Sequence, residues 1–181
     1  MGNIGVNKAK RTPESNEYYT PYYAVIPILK YIPKNKKIWC PFDREWSAFY
    51  QTFKGNGYDV IRSHIDEGKD FFEYEPEEYD IIISNPPYNI KDDILRRLDE
   101  LNKSYAMLLP LSTLQGKKRY PYLKNGIQLL AFDDRVMFHN MENMKNTVNS
   151  IAFGTAYFCR NVLPKDLILE KLYKYEEPLV E

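Results

Sequence analysis

Four consecutive residues near the middle of the chain have the types needed to hold a planar amino group. Asn85, Pro86, Pro87 and Tyr88 directly follow an apolar run at residues 79–84, which predicts a buried strand. Two adjacent prolines cannot continue a central strand, so the backbone must turn here. The prolines present rigid carbonyl oxygens beside the side-chain carbonyl of Asn85. Two such acceptors would bind both hydrogens of an exocyclic NH2 group, and Tyr88 would stack on its ring.

An amino nitrogen held in this way needs little help from a general base before it attacks an electrophilic methyl group. Positioning and electrostatics would supply most of the catalysis. The same residues also form an ordinary turn, and the motif alone would favour that interpretation. The buried strand before it and the elements around it favour a catalytic role.

Strands alternating with helices are predicted to position this motif. Strands are expected at residues 36–40, 58–61, 79–84, 105–109, 128–132 and 151–158, and helices at 22–29, 46–54, 92–102 and 167–175. This order predicts an α/β fold: one Rossmann-like domain with a mostly parallel central sheet, helices on both faces and an antiparallel strand near the C-terminus. Ligands of such sheets bind beyond the carboxyl ends of the strands, where the motif falls.

Composition excludes several other classes of protein. The chain has 181 residues, enough for one domain, and 25 basic residues balance 25 acidic ones. Zero net charge argues against a large autonomous DNA-binding surface but leaves room for a local basic patch. Cys40 and Cys159 lack metal-type spacing, and we expect no metal site. Without an apolar run of membrane length or a signal core, the chain is expected to be cytoplasmic.

The motif after its Asp-Ile-Ile-Ile strand resembles the catalytic motif of S-adenosylmethionine-dependent amino-methyltransferases. It is most similar to that of small phage-type adenine-N6 DNA methyltransferases, and the resemblance extends from about residue 18 to residue 159. It implies a flipped adenine whose amino group is held by Asn85 and Pro86 and whose ring stacks on Tyr88. Residues 1–16 are polar and lack hydrophobic periodicity, so a flexible arm is expected there. The resemblance implies a methyltransferase-like domain at 17–181, without a separate target-recognition domain.

Four further segments resemble the family's cofactor site in the expected order. The resemblance implies contacts with S-adenosylmethionine from Tyr19, Thr20, Pro21, Pro41, Asp43, His64, Asp66, Asp70 and Phe71. Two places depart from the family. The loop after the first strand, normally acidic and glycine-rich, has no glycine here and begins with Cys40, so Asp43 becomes the candidate carboxylate for the cofactor's amino group. His64 stands where an acid would hold the ribose hydroxyls, and Asp66 lies two residues on.

Two segments are candidates for contact with the nucleic acid. Lys117, Lys118 and Arg119 lie beside two tyrosines, a combination that could bind phosphates and stack unpaired bases. A solvated surface loop is the alternative. Arg135 and Phe138 resemble a later motif near the target base. Phe138 would either stack on the extruded base or pack inside the protein.

The leading hypothesis is therefore an S-adenosylmethionine-dependent adenine-N6 methyltransferase acting on DNA. Sequence specificity would be low or supplied by a protein partner, because no segment is long enough for a recognition domain. RNA bases and glutamine side chains also offer a planar NH2 group and are alternative acceptors. A different class also remains open: a degenerate methyltransferase fold that serves as a binding or inhibitor protein, favoured by the glycine-free loop and the neutral charge.

Overall fold

One seven-stranded sheet organises the residues that the computed structural model describes, 19–138 and 153–174. In chain order its strands are β1 (Ile38–Cys40), β2 (Val60–Arg62), β3 (Ile81–Ser84), β4 (Ser104–Pro110), β5 (Gln128–Phe132), β6 (Thr155–Arg160) and β7 (Leu167–Glu170). Across the sheet the order is β2-β1-β3-β4-β6-β5-β7. The arm predicted at residues 1–16 lies outside the described residues.

The strand directions confirm the predicted mixed sheet. β1 pairs in parallel with β2 and β3, β3 with β4, and β5 with β7. β6 is antiparallel to both β4 and β5, so it alone is reversed among the described strands. The chain leaves β1 for β2 on one side and then reaches β3 on the other. This reversal makes the carboxyl ends of β1 and β3 the switch point, the expected ligand position in a Rossmann-like sheet.

Helices cover both faces of the sheet, as the alternation predicts. On one face lie α1 (Tyr22–Leu29) and α2 (Ala48–Gly55), and on the other α3 (Lys91–Leu101) and α4 (Tyr120–Leu123). Alternate strand residues enter the two cores: Ile38, Cys40, Ile81, Ile83, Ala106 and Leu108 face α1 and α2, whereas Trp39, Ile82, Tyr105, Met107 and Leu109 face α3. Burial on both faces explains the unbroken apolar run of β3. No helix in the described ranges is long and apolar enough to cross a membrane.

The helix α3, which begins three residues after Tyr88, has a narrow apolar face. Ile94, Leu95 and Leu98 are buried against the sheet, while charged residues occupy much of the rest of α3. The helix ends at Asn102, whose left-handed backbone (φ 50°) lets its N–H donate to the carbonyls of Leu98 and Asp99. α3 therefore holds its first turn, and the motif before it, at a defined place on the sheet.

The prediction of a helix at residues 167–175 is wrong. Leu167–Glu170 is the strand β7, paired in parallel with β5, and the residues after 174 lie outside the described ranges. Leu167 and Leu169 are exposed whereas Ile168 and Glu170 are half-buried, which is the period of a strand. Three consecutive apolar residues fit either period over so short a segment, and pairing with β5 decides in favour of the strand.

Packing of α3 yields a test of the fold. Leu98→Ala removes a fully buried side chain and should lower the free energy of unfolding by about 2–5 kcal/mol, since the surrounding core cannot close the cavity. The matched change Leu101→Ala, at a half-buried position, should cost less. Urea denaturation followed by circular dichroism measures both. Equal losses would mean that α3 does not pack as described.

Candidate active site

The loops that follow β1, β2 and β3 are hydrogen-bonded to one another at the carboxyl edge of the sheet. The N–H of Asp43 donates to the carbonyl of Ser63 (3.2 Å), and the N–H of Ser63 donates to the carbonyl of Cys40 (3.0 Å). The hydroxyl of Ser84 donates to the carboxylate of Asp43. Because Ser84 is the residue before Asn85, this contact joins the predicted cofactor loop to the predicted catalytic motif.

Burial dominates the electrostatics of this contact. Asp43 is 4% exposed and Ser84 is fully buried. Burial raises the pKa of Asp43 to about 7, against the opposing effect of hydrogen bonds from the hydroxyls of Ser84 and Ser47. Burial, together with the charge of Asp43, also raises the pKa of the Cys40 thiol. A cation placed beside Asp43 would favour its ionised form, so this carboxyl is suited to respond to a positively charged ligand.

His64 and Asp66 lie together after β2, but Asp66 already has a partner. The Nδ1 atom of His64 lies 3.2 Å from the backbone nitrogen of Asp66 and 3.3 Å from its carboxylate oxygen Oδ2. The Asp66 carboxylate binds Arg44, with Oδ2 at 2.5 Å from Nη2 and 3.2 Å from Nε. This guanidinium lowers the pKa of Asp66. A ribose would therefore have to share Asp66 with Arg44.

The N-terminal motif lies against the same loop. The ring of Tyr19 meets Trp46 edge-on, with 4.7 Å between centroids. Thr20 is half-buried, and Pro21 is buried as the residue that precedes α1. Pro41 continues the buried stretch that begins in β1. The structure thus brings the first two predicted cofactor segments together.

The segment before the catalytic strand is more enclosed than a ligand contact requires. The Asp70 carboxylate accepts from the N–H of Phe72 (3.0 Å), and this bond fixes the local turn. Phe71 is 2% exposed, with its ring centroid 4.9 Å from that of Phe42 and 5.5 Å from that of Trp39. Phe71 is therefore part of the core beside α3, and its contact with the cofactor adenine stays a prediction.

The catalytic motif turns out of β3 as predicted. Asn85 is half-buried, Pro86 is buried and Pro87 is exposed. Tyr88 begins a short 3-10 turn that leads into α3, and its carbonyl accepts from the Lys91 ammonium (3.2 Å). A pair of prolines at the end of a buried strand thus produces the sharp exit that the sequence indicates.

Phe138 packs inside the protein beside the motif. It is fully buried, and its ring lies edge-on to that of Tyr88 with 6.3 Å between centroids. The backbone N–H of the preceding residue, Met137, donates to the Tyr23 hydroxyl on α1 (2.8 Å). Of the two roles left open for Phe138, the arrangement favours packing. Arg135, three residues earlier, is exposed.

The basic segment after β4 is divided by the structure. Lys117 and Lys118 are exposed, whereas the Arg119 side chain is 16% exposed and its Nε lies 3.0 Å from Oδ1 of Asp92, in the first turn of α3. The segment is therefore tied to α3 at a residue four positions after Tyr88, the last residue of the predicted catalytic motif. Among the described residues, no three His, Cys, Asp or Glu form a group that could hold a metal ion.

Spacing in the sequence carried no signal for several of these partners. Ser84, Arg44 and Asp92 each bind a predicted site residue from a different loop or helix. Their types are ordinary for turns and surfaces, so neither composition nor motif order distinguishes them. Only the close approach of the strand ends makes them part of the site.

No protein-family model matches this sequence, and no curated protein does. Solved structures do match. One is described as TrmN from Thermus thermophilus, with 12% identity and a TM-score of 0.46 over 77% of this chain and 47% of that chain. Another is a putative methyltransferase from Thermoplasma acidophilum, with 11% identity and a TM-score of 0.37 over 75% and 71%. This chain spans less than half the length of the TrmN chain. At these identities and TM-scores, nothing about activity or ligand follows from the likeness.

The titration of Asp43 should be visible in the stability of the fold. Burial raises its pKa from 3.8 to about 7, so the folded state binds the proton more tightly than the unfolded chain does. The free energy of unfolding should therefore fall as pH rises between these values, by up to about 4 kcal/mol. Asp43→Asn removes this titration and should be more stable than the wild type at pH 8 but not at pH 4.

Urea denaturation across this pH range measures the difference between the two proteins. Asp59→Asn, at an exposed carboxylate, is the control and should change the free energy of unfolding little. A wild type and an Asp43→Asn variant that keep a constant difference at every pH would contradict the burial of a titrating carboxyl.

Proposed function

We propose that the protein is an S-adenosylmethionine-dependent methyltransferase that acts on the exocyclic N6 amino group of adenine in DNA. One observation carries the proposal: the turn Asn85–Tyr88 leaves the central buried strand at the switch point, joined through Ser84 to the buried carboxyl of Asp43. An acceptor for an amino group and a carboxylate for a cationic ligand thus lie on adjoining loops. The assignment to DNA rests on the order of motifs, which resembles that of the phage-type enzymes.

The residues at the switch point fit the proposed cofactor. Asp43 is the buried carboxyl suited to an ammonium group, because a cation nearby would offset the burial that keeps it protonated. His64 and Asp66 stand after β2, where ribose hydroxyls are bound in Rossmann-like sheets. When bound there, S-adenosylmethionine supplies an electrophilic methyl group.

The catalytic motif acts on the nitrogen through position and polarity. The side-chain oxygen of Asn85 and the carbonyl of Pro86 accept the two amino hydrogens, which directs the nitrogen lone pair away from the motif. Both oxygens carry partial negative charge, which would stabilise the positive charge that develops on the nitrogen as it takes the methyl group. Tyr88 supplies the flat surface for the base, and its own ring is held edge-on by Phe138 and Phe153. These two ring contacts restrain the orientation of Tyr88.

The mechanism is tested by replacing Asn85. Asn85→Ala removes one of the two acceptors and should reduce methyl transfer by about a hundredfold or more, by analogy with the loss of one oriented group from a preorganised site. The assay follows label from methyl-labelled cofactor into DNA, RNA and protein, followed by nucleoside analysis for N6-methyladenine. Asn89→Ala, at an exposed asparagine outside the motif, is the matched control and should retain activity.

Each outcome of this assay has a distinct meaning. Label in N6-methyladenine of DNA that disappears only with Asn85→Ala supports the proposal. Label in RNA or in glutamine would leave the proposed role of the motif intact but identify a different methyl acceptor, because both offer the same planar NH2 group. Activity retained by Asn85→Ala would end this mechanism.

Cofactor binding should depend on pH through Asp43. Because the ammonium of the ligand pairs with the ionised carboxyl, affinity should be several-fold weaker at pH 6 than at pH 7.5, on either side of the pKa of about 7. Calorimetric titration with S-adenosylhomocysteine measures this, and Asp43→Asn should bind weakly at both values. An affinity that is the same at both pH values in the wild type would show that Asp43 does not face the ligand's cation.

A second candidate function is favoured by the ion pair of Arg44 with Asp66. This pair joins the loops after β1 and β2, and the first of these loops has no glycine to let a ligand approach its backbone. Such a site suits a methyltransferase fold that binds a protein partner and has lost its chemistry. The same titration separates the two: no binding of either cofactor form at millimolar concentration, with or without nucleic acid, would favour the binding protein.

A further inference from the structure

The segment after β4 has an inner side and an outer side. Residues 111–124 contain four cations and no acid. One cation, Arg119, points inward: it forms the ion pair with Asp92, and its Nη1 donates to the carbonyl of Ser112 (3.1 Å). The three lysines are exposed. We call the outer side the lysine–tyrosine face, and its members are Lys117, Lys118, Tyr120 and Lys124.

The chain around Arg119 is built to hold the guanidinium. A Cβ at Gly116 would lie 2.6 Å from both Nε and Nη2 of Arg119, closer than any side chain tolerates. The carbonyl of Gly116 also accepts from the N–H groups of Arg119 (3.0 Å) and Tyr120 (3.1 Å), which closes the turn. Glycine at position 116 therefore lets the guanidinium lie on the backbone and reach Asp92. Arg119 therefore holds the segment in place through Asp92 and the carbonyl of Ser112.

The segment is attached to residues near Tyr88 at two points, Arg119 towards one end and Leu111 at the other. Asp92, the partner of Arg119, lies four residues after Tyr88. At the other end, the N–H of Leu111 donates to the carbonyl of Gly154 (2.9 Å). The residue before Gly154 is Phe153, whose ring lies 5.8 Å from that of Tyr88. The segment that carries the lysine–tyrosine face is thus joined to two residues near Tyr88, on which the target base would stack.

The exposed groups of this face match an unpaired nucleic-acid strand. Tyr120 is 66% exposed, and the ammonium of Lys124 lies 5.8 Å from its ring centroid. Lysines bind phosphates as point charges, and an exposed aromatic ring stacks on any unpaired base. Three lysines can neutralise few phosphates, so stacking must supply part of the affinity. A continuous duplex offers Tyr120 no base face.

We propose that the lysine–tyrosine face binds an unpaired strand beside the target base, and that Arg119, through Asp92, positions this face without contacting a phosphate. The proposal rests on the proposed function for the identity of the target base. Binding to the face, however, can be measured without methyl transfer, so the two stand or fall separately.

The binding test uses a fluorescein-labelled single-stranded oligodeoxynucleotide containing one adenine, without cofactor. Fluorescence anisotropy over a range of salt concentrations gives the affinity and its salt dependence. Lys117→Ala and Lys118→Ala should each weaken binding and reduce the slope of log affinity against log salt by about 0.7. Tyr120→Ala should weaken binding by about fivefold or more with an unchanged slope, and Tyr120→Phe should bind normally. Lys103→Ala, at the amino end of β4, is the control lysine.

The role of Arg119 is tested by variants that change its geometry and not its charge. Arg119→Lys keeps the cation but cannot contact both Asp92 and the Ser112 carbonyl, so it should weaken binding several-fold at an unchanged salt slope. Gly116→Ala should have the same effect, because its methyl group displaces the guanidinium. If Arg119 were a phosphate contact, lysine would replace it with little loss, and Asp92→Asn would strengthen binding by releasing the cation.

The outcomes divide clearly. The proposal that this face binds an unpaired strand would be overturned if the protein bound neither single-stranded DNA nor single-stranded RNA. It would also be overturned if the lysine variants left the salt dependence of binding unchanged. Tighter binding of duplex than of single strand would overturn its preference for unpaired bases. Stronger binding by Asp92→Asn would overturn the positioning role of Arg119. Oligonucleotide binding could depend on the face while Asn85→Ala retained methylation. That result would support binding by the face and contradict the proposed mechanism.

Discussion

The hydrogen bond between Ser84 and Asp43 is the contact on which the arrangement of the site depends. It lies where β1 and β3 end, and it joins two loops that are 41 residues apart in the sequence. Burial disfavours the ionised form of a carboxyl, so the pKa of Asp43 lies near neutrality. The hydroxyls of Ser84 and Ser47 form hydrogen bonds that partly offset this effect. Keeping such a group in the core is difficult to explain by stability alone. What the carboxyl does in the structure is to hold the end of β3, through Ser84, against the loop that follows β1.

The fold could be predicted from the sequence wherever an element is buried on both faces or has a long regular face. β3 begins with three isoleucines, β4 is apolar from Tyr105 onward, and α3 has apolar residues at helical spacing. β7 could not be predicted, because its three consecutive apolar residues fit the period of a helix as well as that of a strand. Its partner β5 begins nearly forty residues earlier in the chain. Local pattern decides an element only when the element is long enough to complete its own period.

The site follows the same rule at the level of side chains. The residues of the motif Asn85–Tyr88 could be identified because two prolines after a strand restrict the backbone strongly. Pairings such as Arg44 with Asp66 and Arg119 with Asp92 join residues 22 and 27 positions apart, and no spacing in a single sequence reveals them. Each removes a cation or an acid from the set of groups available to a ligand. Which of the predicted site residues face a substrate therefore stays a prediction.

These pairings explain how a neutral protein could still bind a polyanion. Several arginines lie within ion-pair distance of carboxylates: Arg44, Arg62, Arg96, Arg97, Arg119 and Arg160. The planar guanidinium suits such internal contacts, because its fork satisfies two acceptors at once. The exposed lysines of the lysine–tyrosine face then form a local positive patch on a protein with zero net charge. Attraction from a distance would be weak, so retention of a strand would depend on stacking and on capture of the target amino group. On the proposed function, such a site would select the base and read little of the sequence around it.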